Sequence, residues 1–251
     1  MENNRPNHTL GRYALLHQTV FAVALAVIAV QMIVAVEQLQ VSLWWLIPAA
    51  LAGWYTADAS SGCAHFVLDY VKTRPNTGLR ELYFYKGAKG TADYLKLRDR
   101  AMSQLSPFEK VAFDFKTHHK HPGALAQRQT LLVILPTLYP ITLPFLVVIS
   151  LIEWLLPGYS LLAWMLLAHT IGLTFAQHAH ALSHLREPPL HGRILQKLGL
   201  FMTAKKHSSH HQNLGINFCI LSGWADPLVN RIFRFCKSRG WIYLEGLEPI
   251  P

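Results

Sequence analysis

Three histidines near the carboxyl end of the sequence have a spacing that suits a metal. They lie in the run Lys205-Lys206-His207-Ser208-Ser209-His210-His211. On a helix, positions i, i+3 and i+4 share one face, so these three imidazoles are predicted to converge on a single point. Gathering imidazoles is costly, because they repel one another when protonated and lose hydration when buried. The alternative is a solvated polar turn beside a basic patch, and the rest of the chain decides between the two.

Histidines elsewhere in the chain extend the pattern. The further candidate ligands are His65, His118, His119, His180 and His184. Asp69 follows His65 by four residues, so its carboxylate can hold one ring nitrogen while the other faces a metal. Asp58 precedes His65 by seven residues on nearly the same face, and it is the second carboxylate expected to support a ligand from behind. The alternative for each carboxylate is an ordinary hydrogen bond between helices.

Two long intervals of the sequence contain neither Lys nor Arg, and they run from Arg12 to Lys72 and from Arg128 to Arg186. Each has room for two membrane spans of about 20 residues with a tight turn between them. Hydrophobic residues make up 51% of the chain, which argues against an ordinary soluble enzyme. We therefore predict a single all-α membrane domain over residues 1–251 with four transmembrane helices in two hairpins, at about 15–36, 43–70, 130–153 and 161–183. Three prolines predict a kink in the third span.

The basic residues follow the predicted membrane boundaries. A net charge of +9 and a pI near 9.6 could suggest nucleic acid, but these residues flank the spans and do not form a compact soluble module. We therefore expect no nucleic-acid partner. The positive-inside rule places both termini and the segments 72–128 and 186–251 in the cytoplasm. All the candidate histidines then lie at one membrane face, although the spans were assigned from charge and hydrophobicity alone.

Eight imidazoles are too many for one metal ion and about right for two. Imidazole suits iron, copper and zinc, whereas calcium and magnesium prefer oxygen ligands. The sequence contains no hydrolytic triad and no nucleotide-binding motif. A metal pair at the edge of the bilayer best fits oxygen chemistry on an acyl or alkyl chain, and no catalytic residue is assigned beyond the metal centre.

At this point the sequence resembles the Kua-type lipid desaturases, which include plasmanylethanolamine desaturases and the plant chloroplast desaturase that acts on palmitate of phosphatidylglycerol. The resemblance extends from about Trp54 to Trp224. It rests on four motifs that occur in order. The first combines Ala57-Asp58, Ser61-Gly62-Cys63-Ala64-His65 and Asp69, and the second is His118-His119 before Pro122. The third is His180-Ala181-Leu182-Ser183-His184, and the fourth is His207-Ser208-Ser209-His210-His211 followed by Asn217-Phe218-Cys219-Ile220.

The resemblance implies an oxidoreductase of lipid metabolism that desaturates a phospholipid chain. It implies two iron ions held by the eight histidines, with O2 as oxidant and an external electron donor, either cytochrome b5-like or ferredoxin-like with a reductase. The reaction implied is plasmanylethanolamine to plasmenylethanolamine, as in plasmalogen biosynthesis. Desaturation of an ester-linked acyl chain of phosphatidylglycerol is the close rival.

Other functions remain open from the residues alone. The same histidine-rich scaffold could hydroxylate a lipid, and paired histidines could instead hold haem in a membrane electron carrier or line a metal transporter. Three features lie outside the family pattern or the proposed ligand set: the long stretch 76–104, His121 and His169. We assign His169 to a buried hydrogen bond and leave the roles of the stretch 76–104 and of His121 open.

Overall fold

The main helices lie within the two intervals that contain neither Lys nor Arg. The computed structural model describes residues 13–247, and within that range the elements are helical and no strand is present. The helices are α1 (Ala14–Glu37), α2 (Leu46–Tyr70), α3 (Leu79–Tyr83), α4 (Ala92–Gln104), α5 (Pro107–His118), α6 (Gly123–Ala126), α7 (Thr130–Thr137), α8 (Leu143–Leu155), α9 (Ser160–Ser183), α10 (Leu190–Lys197), α11 (Ala204–Gln212) and α12 (Asp226–Ser238). The predicted all-α fold is confirmed for this range. The prediction that both termini lie in the cytoplasm concerns residues outside the described range.

Three segments of the described chain are long and apolar enough to cross a membrane, and they are Ala14–Glu37, Thr130–Leu155 and Pro157–Ser183. They correspond to three of the four predicted spans. The remaining helix, α2, has the predicted place and a length of 25 residues. It carries Asp58 and Asp69, and it is not among the segments apolar enough to cross. Its role as a fourth crossing stays a prediction.

Proline widens the middle of the segment Thr130–Leu155. Pro136 lies within α7, and a π-helical turn over Leu138–Thr142, which contains Pro140, joins α7 to α8. A proline has no N–H to donate and its ring presses on the carbonyl one turn back, so a wider turn relieves the clash. The Oγ1 atoms of Thr142 and Thr174 lie 2.8 Å apart and fasten this turn to α9.

Small residues let α2 and α9 run side by side, in the same direction, through the centre of the fold. A Cβ added to Gly53 would lie 2.8 Å from the Cβ of Ala168, and one added to Gly172 would lie 2.7 Å from the Cβ of Ala57. Helix backbones can approach this closely only where side chains are very small. The contact therefore fixes how α2 is placed along α9.

That placement brings His65 of α2 and His180 of α9 to the same end of the bundle, with ring centroids 5.7 Å apart. Two shorter helices, α5 and α11, close this end. A capping box between Ser106 and Glu109 begins α5, and the side chain of Thr203 caps α11. Both shorter helices thus have well-defined beginnings, which helps to fix where their histidines lie along the chain.

We expect Gly53→Ala to lower the free energy of unfolding by about 2 kcal/mol, because the added methyl enters a closed contact between two helices. Gly90→Ala is the matched control, since nothing lies within 4 Å of the Cβ that it adds. Thermal unfolding in detergent measures both variants. Equal melting temperatures for the two would contradict the close approach of α2 and α9.

Candidate metal centre

The structure gathers the candidate ligands into two groups at one end of the long helices. In each group the ligand atoms all lie within 4.8 Å of one another. The five-histidine group consists of His118, His180, His184, His207 and His211, and the four-residue group consists of His65, Asp69, His119 and His210. All eight histidines selected from the sequence are present in these two groups.

Neighbouring histidines on a helix contribute to different groups. His207 and His211, one turn apart on α11, join the five-histidine group, whereas His210 joins the four-residue group. His118 and the adjacent His119 divide in the same way. Successive helical residues point about 100° apart, so two adjacent side chains cannot face one centre. The prediction that all three histidines of α11 converge on a single point is therefore wrong, and the helix lies between the two groups.

The ring nitrogens of the five-histidine group make too many mutual contacts for all of them to be hydrogen bonds. His207 Nε2 lies 2.9 Å from His180 Nε2, and 3.0 Å from the Nε2 atoms of both His184 and His211. A ring nitrogen has one proton or one lone pair in its plane, so it can satisfy one such contact and not three. Two nitrogens bound at right angles to one metal ion at about 2.1 Å are about 3.0 Å apart. The spacing fits a shared metal.

The four-residue group contains buried polar atoms that have no hydrogen-bond partner. Asp69 Oδ2 lies 3.2 Å from His65 Nε2 and 3.6 Å from His210 Nε2, and within the described chain all three of these atoms lack a hydrogen-bond partner. The Oδ1 atom of Asp69 lies 3.0 Å from His119 Nε2. Unsatisfied buried acceptors that converge are costly unless a cation joins them. The donor set fits a metal ion of the imidazole-and-carboxylate type.

Asp69 occupies a different place from the one expected of it. The sequence suggested a carboxylate behind His65, holding its outer ring nitrogen. The structure instead places both carboxylate oxygens among the ring nitrogens, and the side chain is fully buried. The i, i+4 spacing brings the two side chains together on one face of α2 but does not decide which of them lies nearer the centre.

Backbone carbonyls, which carry no sequence signature, orient two of the rings. His65 donates from Nδ1 to the carbonyl oxygen of Phe218 at 2.9 Å, and His210 donates from Nδ1 to that of Ile216 at 2.7 Å. Each bond places the lone pair on Nε2, which faces the group. The loop that supplies both carbonyls follows α11 and contains Asn217 in a left-handed conformation with φ 58°. The motif Asn217-Phe218-Cys219-Ile220 was the only signal of this role.

Asp58 anchors this same loop and does not support a histidine directly. Its Oδ1 accepts from the backbone N–H groups of Ser222 and Gly223 at 2.8 and 3.0 Å, and its Oδ2 accepts from that of Ala225 at 2.9 Å. Asp226 continues the anchor by accepting from the N–H of Cys219. Asp58 therefore does not support His65 directly as expected, and it instead holds in place the loop that carries the Phe218 carbonyl.

Burial lowers the pKa of five of the candidate histidines and keeps their imidazoles neutral. Loss of solvent, followed by the charge of neighbouring histidines, lowers the pKa of His184 to about 4 and that of His211 to about 2, and the same causes hold the pKa of His118 and His207 well below the usual value. Burial also lowers the pKa of His210 to about 4, although Asp69 opposes this shift. Neutral rings have a free lone pair at neutral pH, which a metal requires.

The remaining histidines singled out from the sequence lie outside both groups. His121 Nε2 is 2.5 Å from Lys89 Nζ, and His169 Nδ1 forms a hydrogen bond of 3.0 Å with the hydroxyl of Thr56. The hydrogen bond expected for His169 is therefore present, on a side chain that is only partly buried.

The fold and the donor groups together define a class: a helical membrane protein with a histidine-rich candidate metal centre at the ends of its long helices. The family model of the lipid desaturase domain matches residues 107–249, which is more than half of the chain, and the chain belongs to this family. Seven of the eight histidines lie within the matched residues, whereas His65 and Asp69 precede them. No curated protein and no solved structure matches the chain.

We expect Asp58→Ala to lower the free energy of unfolding by at least about 3 kcal/mol, because three buried backbone N–H groups lose their acceptor. The matched control is Asp99→Ala, which removes a side chain that is 72% exposed. Chemical unfolding in detergent, followed by helical circular dichroism, measures both. A stability loss no larger than that of the control would show that Asp58 does not anchor the loop.

We expect the metal-free protein to lose stability as the pH falls from 6.5 to about 4, because His184 and His210 have lowered pKa values in the folded chain. The unfolded chain takes up protons at these histidines first, so the free energy of unfolding decreases toward acid. Melting temperatures of chelator-treated protein measured across this range provide the test. The double variant His184→Gln, His210→Gln should show a shallower dependence, and equal slopes would contradict the assignment.

Proposed function

We propose that the chain is a membrane-bound, oxygen-dependent di-iron desaturase that introduces a double bond into an alkyl or acyl chain of a phospholipid. The observation that carries the proposal is the pair of adjacent donor groups, one of five imidazoles and one of three imidazoles and a carboxylate, in a chain of the lipid desaturase domain family. Iron accepts both donor sets, and membership of the Kua-type branch forms part of the proposal.

The chain's own residues would hold and shield the reacting groups. Two bound irons would supply the reduction of one O2, with two electrons and two protons, so that a CH2–CH2 unit becomes CH=CH and two waters form. The five-histidine group and the four-residue group would hold one iron each. Burial of His65, His180, His207 and His210 excludes water from the centre. The carbonyls of Ile216 and Phe218 keep two of the rings turned toward it.

The same proposal includes a topology and an electron donor. We place the centre at the cytoplasmic face, with α2 as a fourth crossing and both termini in the cytoplasm, because the basic segments flank the long helices. Electrons would come from an external carrier, either cytochrome b5-like or ferredoxin-like with its reductase. The exposed side chains of Arg193, Lys205 and Arg231 offer a positive surface that suits an acidic carrier.

Two reactions compete for the substrate chain within this proposal. Formation of plasmenylethanolamine from plasmanylethanolamine is the leading one, and desaturation of an ester-linked acyl chain of phosphatidylglycerol is the alternative. Hydroxylation begins with the same removal of hydrogen and differs in its product. A haem carrier is disfavoured, because ring nitrogens only 2.9 to 3.0 Å apart leave no room for a porphyrin between them.

We expect cells that lack such an activity, when they express the chain, to accumulate phospholipids lighter by two hydrogens, and mass spectrometry of ether and ester species distinguishes the two substrates. His210→Ala should lower this product by at least about 100-fold, because loss of even an indirect partner of a metal ligand costs roughly 10- to 100-fold. His178→Ala, at a histidine outside both groups, is the matched control.

Iron analysis of the purified protein completes this test. The expected content is about two irons per chain, because the two donor groups can each hold one metal ion. Products that gain one oxygen would assign the chain to hydroxylation instead. Full activity of His210→Ala would remove the four-residue group from the reaction.

A further inference from the structure

A cavity of about 260 Å³ leads from the protein surface to the five-histidine group. It lies among α5, α6, α7 and α9, and His118 and His180 are the members of the candidate metal centre that line it. No residue of the four-residue group does so. A molecule in this cavity would therefore approach the metal centre from the five-histidine side only.

The lining of the cavity is partly basic and partly apolar. Arg128, just before α7, and Lys89, from the long stretch 76–104, line it together with Leu132, Val133 and Pro136. Each helical residue advances about 1.5 Å, so Pro136 lies about 9 Å beyond Thr130, where α7 begins, in the direction of the apolar layer. The cavity wall thus changes from basic to apolar as it enters the predicted membrane.

Positive charge is concentrated around Lys89. Lys89 Nζ lies 2.5 Å from His121 Nε2. Burial, followed by the charge of Lys120, lowers the pKa of Lys89, as expected where cations gather. Among the described residues that line the cavity, Asp114 is the one carboxylate, whereas Lys89 and Arg128 are both cations. An anion bound in the cavity would be stabilised by the charges of Lys89 and Arg128.

We propose that this cavity binds the substrate phospholipid, with Lys89 and Arg128 on its phosphodiester and one chain along Leu132, Val133 and Pro136 toward His118 and His180. This inference rests on the proposed function for the reaction of the bound lipid chain, whereas binding of the phospholipid itself does not depend on that function. It assigns a role to the long stretch 76–104, which supplies Lys89. A phosphodiester is the favoured ligand because two separate cations face it, and Arg128 can bind two of its oxygens at once.

The first experiment measures equilibrium binding of dioctanoylphosphatidylglycerol to the full chain in detergent. Lys89→Gln and Arg128→Gln should each raise the dissociation constant by about tenfold, as expected for loss of one charged hydrogen bond. Lys110→Gln and Arg234→Gln are the matched controls, since both side chains are exposed and do not line the cavity. Unchanged binding in both cavity variants would overturn the proposal.

Two further variants and two further ligands sharpen this experiment. Lys89→Arg keeps the charge and should retain most of the affinity, whereas Arg128→Lys should lose part of it because Lys cannot bind two oxygens at once. Melting temperatures show whether each variant is folded. Dioctanoylglycerol, which lacks the phosphate, should bind more weakly and equally to all variants. Octanoate that binds as tightly as the phospholipid, with the same dependence on Lys89, would overturn the phosphodiester and assign the site to a carboxylate.

Turnover separates this inference from the proposed function. In an active protein, Lys89→Gln and Arg128→Gln should raise the KM for phospholipid by about tenfold and leave kcat within about twofold, because neither side chain lies among the candidate metal ligands. Lipid binding that depends on Lys89 and Arg128, without desaturation by the wild-type chain, would remove the proposed function and leave this site. Desaturation with unaltered KM in both variants would remove this site alone.

Discussion

The close contact between α2 and α9 is the constraint on which the rest of the structure depends. Gly53 and Gly172 allow the two helices to approach, and the resulting register places His65 beside His180. Asp69 lies on α2 and His184 directly follows α9, and the remaining donors come from α5, from His119 just after it and from α11, which close the same end. Imidazoles crowded together would repel if protonated, so the site requires burial, and burial requires this tight packing. The candidate metal centre at the end of the helices therefore depends on the packing of small residues farther along them.

The loop after α11 connects that packing to the orientation of the rings. Asp58 lies on α2, seven residues before His65, and holds the loop by three backbone amides, and the loop returns a carbonyl to His65 itself. Hydrogen bonds thus join α2 to the loop twice, once through Asp58 and once through His65. A carboxylate that never touches the candidate metal centre can in this way determine where one of its ligands points.

Much of this arrangement can be predicted from the sequence, because histidine spacing and charge-free intervals are local signals. They give the helical fold, three apolar segments and the eight histidines that the structure gathers. They do not give the division of His207, His210 and His211 between two groups, which depends on where α11 lies relative to α5 and α9. The places of Asp58 and Asp69 depend in the same way on tertiary contacts. The interval that contains α2 was chosen for its lack of Lys and Arg, and this signal does not count Asp58 and Asp69, which are buried in the structure and leave α2 outside the segments apolar enough to cross.

Asp69 makes the two halves of the candidate centre electrically unlike. Five neutral rings add no charge, so a divalent ion among them would keep its full positive charge in a buried place, whereas Asp69 would cancel part of the charge of its neighbour. In the di-iron centre proposed above, the Asp69 carboxylate would stabilise the ferric state relative to the ferrous state more than a neutral ring does. The two ions would therefore not change oxidation state at the same potential, and the one beside Asp69 would give up its electron first.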